Sequence, residues 1–211
     1  MEIVFMRHGQ TEWNVRHLLQ GANRDICLTE EGVRQVTSAA EGLVRIGWTF
    51  DRIYVSPYRR ARQSAEIVCA KIGGTPIVDE RVREISFGEY EGTPYLNGSY
   101  VDDNIRLAFE CPTKYVPHGG ESYEEVKSRC RDFLENELKP LEGSCDRVLV
   151  VAHGGLLRAV LSVVEDACLD DYWSGRQPNC CAHLVELKDG RLALKERCIG
   201  LIARGEEINH G

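Results

Sequence analysis

Two apolar runs without polar alternation, Ile3-Val4-Phe5-Met6 and Val148-Leu149-Val150-Val151-Ala152, constrain the fold of this chain more than any other feature. A strand with one face in water alternates. A strand that is apolar throughout is covered on both faces, as in a parallel sheet between two layers of helices. Each run is followed by histidine and glycine, in Arg7-His8-Gly9 and in His153-Gly154-Gly155. In an open α/β sheet the carboxyl ends of the strands share one crevice, so the two His-Gly turns are expected to meet there. Imidazole is a competent nucleophile near neutral pH. Guanidinium grips phosphate oxygens in pairs and keeps its charge, and glycine admits backbone N–H groups close to a ligand. The local chemistry is that of an anion held against an imidazole.

The chain between these runs fits the same architecture. Residues 2–6, 52–56 and 147–152 read as strands, and a Ser56-Pro57 break leads into a helix over 59–72 with Ala61, Ala65, Val68 and Ile72 at helical spacing. Arg59, Arg60 and Arg62 crowd the start of that helix. Positive charge at a helix N-terminus is unfavourable by about 0.3–1 kcal/mol per residue, and a bound anion offsets it. Thr29 caps a second helix with Glu30 and Glu31 in its first turn and Val33, Val36, Ala40, Leu43 and Val44 on one face. Ser122-x-x-Glu125 is a capping box opening a helix to about Leu138, and 155–165 reads as another helix. Runs 181–187 and 192–198 flank Asp189-Gly190, a hairpin signal at a sheet edge. The expected fold class is α/β, three layers α/β/α around a mostly parallel central sheet. The expected domain is single, 1–203, with an irregular insertion at about 93–120 that can serve as a lid and a polar, flexible tail over 204–211.

A carboxyl group is what a phosphoryl-transfer site needs to protonate the leaving oxygen, but composition does not single out Glu84 among 33 acidic residues. A resemblance does. Arg7-His8-Gly9-Gln10-Thr11 with Trp13-Asn14, Gln20-Gly21, Leu28-Thr29, Ser56-Pro57-x-x-Arg60-Ala61-x-Gln63-Ser64-Ala65, Glu84 with Gly88 and Glu91-Gly92, Gly120-Glu121-Ser122 and His153-Gly154 together resemble the histidine phosphatase superfamily. That group includes the phosphoglycerate mutases and many small phosphatases, and the motifs occur in family order. The resemblance implies a phosphoglycerate mutase-like fold with His8 as the nucleophile that becomes phosphohistidine. It implies Arg7, Arg60 and His153, with Gly154, as the pocket for the transferring phosphoryl group, and Asn14 and the Gln20-Gly21 turn as lining of the phosphate or substrate side. It also implies Glu84 as proton donor to the leaving alcohol, and a lid that sets substrate choice. Tyr95, Arg106, Phe109, Tyr115 and His118 are the lid's candidate contacts.

Hydrolysis is favoured over mutase chemistry. Between Glu84 and Gly120 the chain has only Arg106 and Lys114 as basic residues, against Glu89, Glu91, Asp102, Asp103 and Glu110. That is poor charge for holding a doubly anionic intermediate. The expected activity is a phosphoric monoester hydrolase acting on a small phosphorylated metabolite. Phosphoglycerate mutase-type transfer, or a non-catalytic phospho-ligand-binding protein on the same scaffold, are the alternatives. No metal and no cofactor is expected: arginines beside a divalent cation would cost Coulomb energy, and no His-Glu-x-x-His motif is present. A net charge of −7 without a basic block argues against nucleic acid or an anionic membrane as partner. A cytoplasmic location is expected, with no signal segment and no apolar run of spanning length. Nine cysteines without a Cys-x-x-Cys pair read as reduced thiols, and the vicinal Cys180-Cys181 is the pair that could sense oxidants. The oligomeric state is not legible.

Overall fold

The computed structural model describes residues 1–95 and 99–201, and the tail expected over 204–211 lies outside them. Among the described residues six strands form one sheet: β1 (Glu2–Arg7), β2 (Arg52–Val55), β3 (Ile77–Val78), β4 (Arg147–Ala152), β5 (Ala182–Lys188) and β6 (Arg191–Ile199). Their order is β3-β2-β4-β1-β5-β6. The first four strands in this order run parallel, β5 adds antiparallel to β1, and β6 adds antiparallel to β5. Asp189 and Gly190, both with positive φ, make the tight turn of the β5–β6 hairpin.

The unalternating strands are explained by two cores. Ile3, Phe5, Val148 and Val150 face one core and Val4, Met6, Leu149 and Val151 the other. Helices α2 (Glu30–Arg45) and α3 (Arg59–Ile72) cover the second face. Helices α4 (Asp103–Glu110), α5 (Tyr123–Phe133, extended by a wider turn over Leu134–Leu138) and α6 (Gly154–Val164) cover the first. The protein is thus a three-layer α/β fold, and each fully buried large apolar side chain contributes about 1.5–3 kcal/mol. A short helix, α1 (Glu12–Val15), follows the first His-Gly turn.

The face of α2 is rotated from the sequence expectation. Val33 and Val44 are 43% and 54% exposed, while Gln35, Val36, Ala39, Ala40 and Leu43 turn inward. Gln35 is inward because its Oε1 accepts the Gln10 N–H at 2.9 Å. The helix approaches the first turn closely enough that a Cβ on Gly9 would lie 2.5 Å from the Gly32 carbonyl oxygen, which requires glycine there. No helix among the described residues is long and apolar enough to cross a membrane.

Candidate active site

Register brings the two histidines together. Arg7 lies opposite Ala152 across β1 and β4, and Val55 lies opposite Val151 across β2 and β4. One residue further, His8, Ser56 and His153 leave the sheet side by side at its carboxyl edge. The His8 N–H donates to the Ala152 carbonyl at 3.0 Å and the Ser56 N–H to Val151 at 3.1 Å. The His8 and His153 ring centroids are 5.2 Å apart.

The His8 ring is buried and donates from Nδ1 to the Gly9 carbonyl, 2.7 Å away. That contact fixes the tautomer and leaves a lone pair on Nε2, which has no hydrogen bond among the described residues. Burial, then the charges of Arg60 and Arg7, hold His8 well below the usual histidine value of 6.5. It is therefore a neutral imidazole at physiological pH. His153 is held down in the same direction by burial, then by Arg60, His8 and Arg7. Its Nε2 sits 2.6 Å from Ser56 Oγ.

Of the three arginines at the start of α3, only Arg60 turns inward; Arg59 and Arg62 lie in solvent. The Arg60 guanidinium donates to the carbonyls of Asn23 at 2.7 Å and Gly21 at 2.8 Å, beside the Tyr58 ring. Burial lowers its pKa to about 10, so it stays charged at neutral pH. Arg7 donates to the main-chain carbonyl of Gln177. Arg7 Nε, Arg60 Nε and His153 Nδ1 are nevertheless buried without partners, as is Gln20 Oε1. Each such group costs about 1–3 kcal/mol when left unmade. Three of them on the side chains around one neutral imidazole mark a place for a polyoxygenated ligand.

Glu84 approaches from a different direction. Its carboxylate accepts from Gly155 N at 3.0 Å and Leu156 N at 2.9 Å, at the start of α6, and from Ile85 N at 3.0 Å. A Cβ on Gly155 would lie 2.6 Å from Glu84 Oε1, so the second glycine of His153-Gly154-Gly155 is there to admit this carboxylate. The Glu84 loop is held by a pair to which the sequence alone assigned no role. Arg129 donates to the carbonyls of Arg81 at 2.8 Å and Arg83 at 2.7 Å. Glu121 accepts from Arg129 Nε at 3.0 Å, Arg83 at 2.5 Å and the Ser86 N–H at 3.0 Å.

The remaining sequence candidates divide. Asn14 uses its Oδ1 in the capping box of α1, where it accepts from the Thr11 N–H and hydroxyl, and the Asn179 side chain joins it to the His8 carbonyl. Gly21 belongs to the loop that Arg60 holds, and Gly154 lies against Arg7 Nε. In the 93–120 segment expected to act as a lid, Arg106 is ion-paired within its own helix to Asp103 and Glu110. Phe109 stacks among Phe87, Tyr95, Tyr100 and Trp173, Tyr115 meets Tyr123, and His118 stacks on Tyr90. Ser56, Gln177 and Asn179 were missed. Ser56 had a signal, since a polar residue directly after a buried strand sits at the ligand edge. Gln177 and Asn179 lie in an irregular segment without one.

The sequence pattern of the histidine phosphatase superfamily (branch 1) matches residues 3–199. A Hydrogenobacter thermophilus protein named as a putative phosphoserine phosphatase is 33% identical over 178 residues, 84% of this chain and 85% of its own. A 2,3-bisphosphoglycerate-dependent phosphoglycerate mutase of Azorhizobium caulinodans is 33% identical over 174 residues, 77% of this chain and 81% of its own. The mycobacterial glucosyl-3-phosphoglycerate phosphatase, solved in complex with vanadate, superposes with a TM-score of 0.81 at 29% identity, covering 93% of this chain and 98% of that one. The chain belongs to the histidine phosphatase superfamily.

Proposed function

We infer that the protein hydrolyses a small phosphomonoester in two steps through a phosphohistidine on His8. The observation that carries this reading is the set of unpartnered buried atoms, Arg7 Nε, Arg60 Nε and His153 Nδ1, beside a neutral His8 with its Nε2 lone pair free. In the first step Nε2 attacks phosphorus and the bond to the leaving oxygen breaks. The two guanidiniums and His153 hold the charge spread over the equatorial oxygens, the main demand of phosphoryl transfer. Glu84 supplies the proton to the departing alkoxide, turning an oxygen away from the start of α6 to do so. In the second step Glu84 takes a proton from water, whose oxygen attacks the phosphohistidine and releases inorganic phosphate. Both half-reactions use side chains alone.

Hydrolysis is preferred to mutase transfer because Arg106 is already paired and the only other basic residue of the segment, Lys114, is exposed. The substrate class, a small phosphorylated metabolite, is supported by relatives named for phosphoserine and glucosyl-3-phosphoglycerate. A cytoplasmic setting belongs to the same reading, supported by nine free thiols. The test is phosphate release from a panel of small phosphomonoesters in EDTA, with His8→Ala beside the wild type. Release by the wild type and none by His8→Ala is expected. Bisphosphate-primed interconversion of phosphoglycerates without net release would make it a mutase, and ester binding without turnover a binding protein.

A further inference from the structure

Cys180 and Cys181, adjacent in sequence, point into different cores, Cys180 on the α2–α3 side of the sheet and Cys181 on the α6 side. They are not a pair. Cys181 instead meets Cys198 and His183 across the β5–β6 hairpin, and donor atoms of the three residues all lie within 4.8 Å of one another. The meeting is built by local irregularity. Register shifts interrupt the hairpin between Ala182 and Val185, and Cys198 has the left-handed φ of +49° that non-glycine residues seldom adopt. A bulge re-aims a side chain, here the Cys198 thiol.

Both thiols also touch the segment that anchors Arg7. Cys181 donates to Gln177 Oε1 at 3.3 Å, and Cys198 donates to the Arg176 carbonyl at 3.6 Å. The Gln177 carbonyl is the one that receives the Arg7 guanidinium.

A soft metal ion is one chemistry for two thiols and an imidazole, but the surroundings disfavour it. His183 donates from Nε2 to Gln177 Oε1 at 2.6 Å and accepts the Cys198 N–H on Nδ1 at 3.3 Å, so both ring nitrogens are engaged. Arg197 and Arg158 add positive charge beside the cluster. Cations oppose a metal and favour a thiolate. Accordingly the Cys198 thiol is drawn down to about 7 by the Cys181 S–H, with Arg197 and Arg158 adding, while Cys181 is raised. Cys198 is exposed and Cys181 is buried behind it. An exposed, acidic thiol backed by a second thiol is the arrangement of an oxidant-reactive pair.

We propose that Cys198 and Cys181 form a reversible thiol-oxidation site for hydroperoxides, whose disulfide loosens the Arg176–Gln177 segment that holds Arg7. The Cys198 thiolate attacks the distal oxygen of the hydroperoxide. The O–O bond breaks, the alkoxide leaves with the proton that Cys198 gave up, and Cys198 becomes a sulfenic acid. The Cys181 sulfur then attacks the Cys198 sulfur and expels hydroxide, which carries off the Cys181 proton as water. Two thiols and one hydroperoxide give one disulfide, one alcohol and one water. In the thiol form each sulfur holds one contact to the Arg176–Gln177 segment; the Cys181 S–H turns to the Cys198 sulfur once that thiol ionises, and the disulfide, which carries no S–H, makes neither contact. The loss of two such bonds beside the phosphate grip lowers kcat/KM about five-fold.

The site itself is independent of the phosphatase reading, and only its effect on turnover rests on that reading. The test is peptide mapping by mass spectrometry of full-length protein treated with hydrogen peroxide, in wild type and Cys198→Ser, with phosphatase rates taken on the same samples. A Cys181–Cys198 cross-link in the wild type is expected, removed by dithiothreitol. It should accompany a fall in rate that Cys198→Ser, which keeps a hydroxyl donor toward Arg176, does not show. Irreversible over-oxidation of Cys198 without a cross-link overturns the proposal, as does a cross-link between other cysteines. Protection of both thiols from peroxide by one equivalent of zinc would make the cluster a metal site instead. A cross-link with unchanged rate keeps the site and removes its link to Arg7. Mapping still decides the fate of the thiols if the protein releases no phosphate at all.

Discussion

The two sides of the candidate site are built on opposite plans. On the His8 side, Arg60 and His153 are buried, Arg7 is half-buried, and all three leave polar atoms unmatched. On the Glu84 side almost every polar group is already matched: Glu84 by three backbone N–H groups, Glu121 by Arg83 and Arg129, and Arg106 by Asp103 and Glu110. The unmatched side suits a ligand with several oxygens, such as the phosphoryl group of the proposed substrate. The matched side offers half-buried aromatic rings, Phe109 and Trp173 among them, and little spare charge. Under the proposed function, the contrast predicts a phosphate gripped by charge and an alcohol chosen by shape.

The strongest way to break that contrast is at Arg60. Arg60→Ala removes a guanidinium from the grip and also frees the Gly21 and Asn23 carbonyls. A loss of about 10³-fold in kcat/KM is expected on every substrate alike, since the phosphoryl group is common to all. Steady-state rates on two esters of different alcohols check this. A loss confined to one alcohol would mean Arg60 recognises the leaving group.

Glu84→Gln probes the other side. With a poor alkyl leaving group, loss of the proton donor should slow turnover by about 10²-fold, and with an activated aryl phosphate by far less. Equal losses on both would remove the acid role. Gln keeps one oxygen, enough for the N–H groups of Leu156 and Ile85 that share Oε1, but leaves the Gly155 N–H facing an amide NH2, so melting temperature must be read beside the rates.

How much of this was legible follows from which contacts are local. Unalternating strands gave the sheet, and the residues one step beyond them gave His8 and His153. Arg60 could be separated from Arg59 and Arg62 by helical phase alone, since it lies four residues before Ser64 on the stripe that holds Ala61, Ala65 and Val68. Glu84 could not be reached that way. Its place depends on a loop pinned by Arg129 from α5 and on a glycine in α6, contacts distant in sequence. The cysteine pairing was misread for a related reason: adjacent residues of a strand face opposite layers, and a bulge set the true neighbour.

The dryness of the His8 side has a further consequence. Burial holds His8 and His153 well below 6.5 and His183 at about 4, so the folded chain keeps these rings neutral. As pH falls below 6.5 the unfolded chain takes up those protons first. Stability is therefore full above that value and is lost on acidification. Melting temperature should fall between about pH 7 and pH 5, before carboxylates titrate. A flat profile over that interval would show the rings charged in the folded protein and the His8 side wet.

The smallest effect is expected at Arg106, and its smallness is what it tests. The sequence made Arg106 a candidate substrate contact because it lies in the irregular 93–120 insertion expected to act as a lid. In the fold its guanidinium lies 3.1 Å from Asp103 and 2.6 Å from Glu110, one turn to either side along α4. A carboxylate-bearing substrate would have to displace both acids and leave them facing each other unneutralised. Arg106→Ala should accordingly leave KM within about two-fold for any ester the enzyme turns over, as for a surface ion pair. A rise in KM of about ten-fold or more, confined to substrates with a second negative charge, would show that the pairs open to receive it. The matched side would then hold charge in reserve, and the shape-only account of alcohol choice would give way to one closer to a mutase.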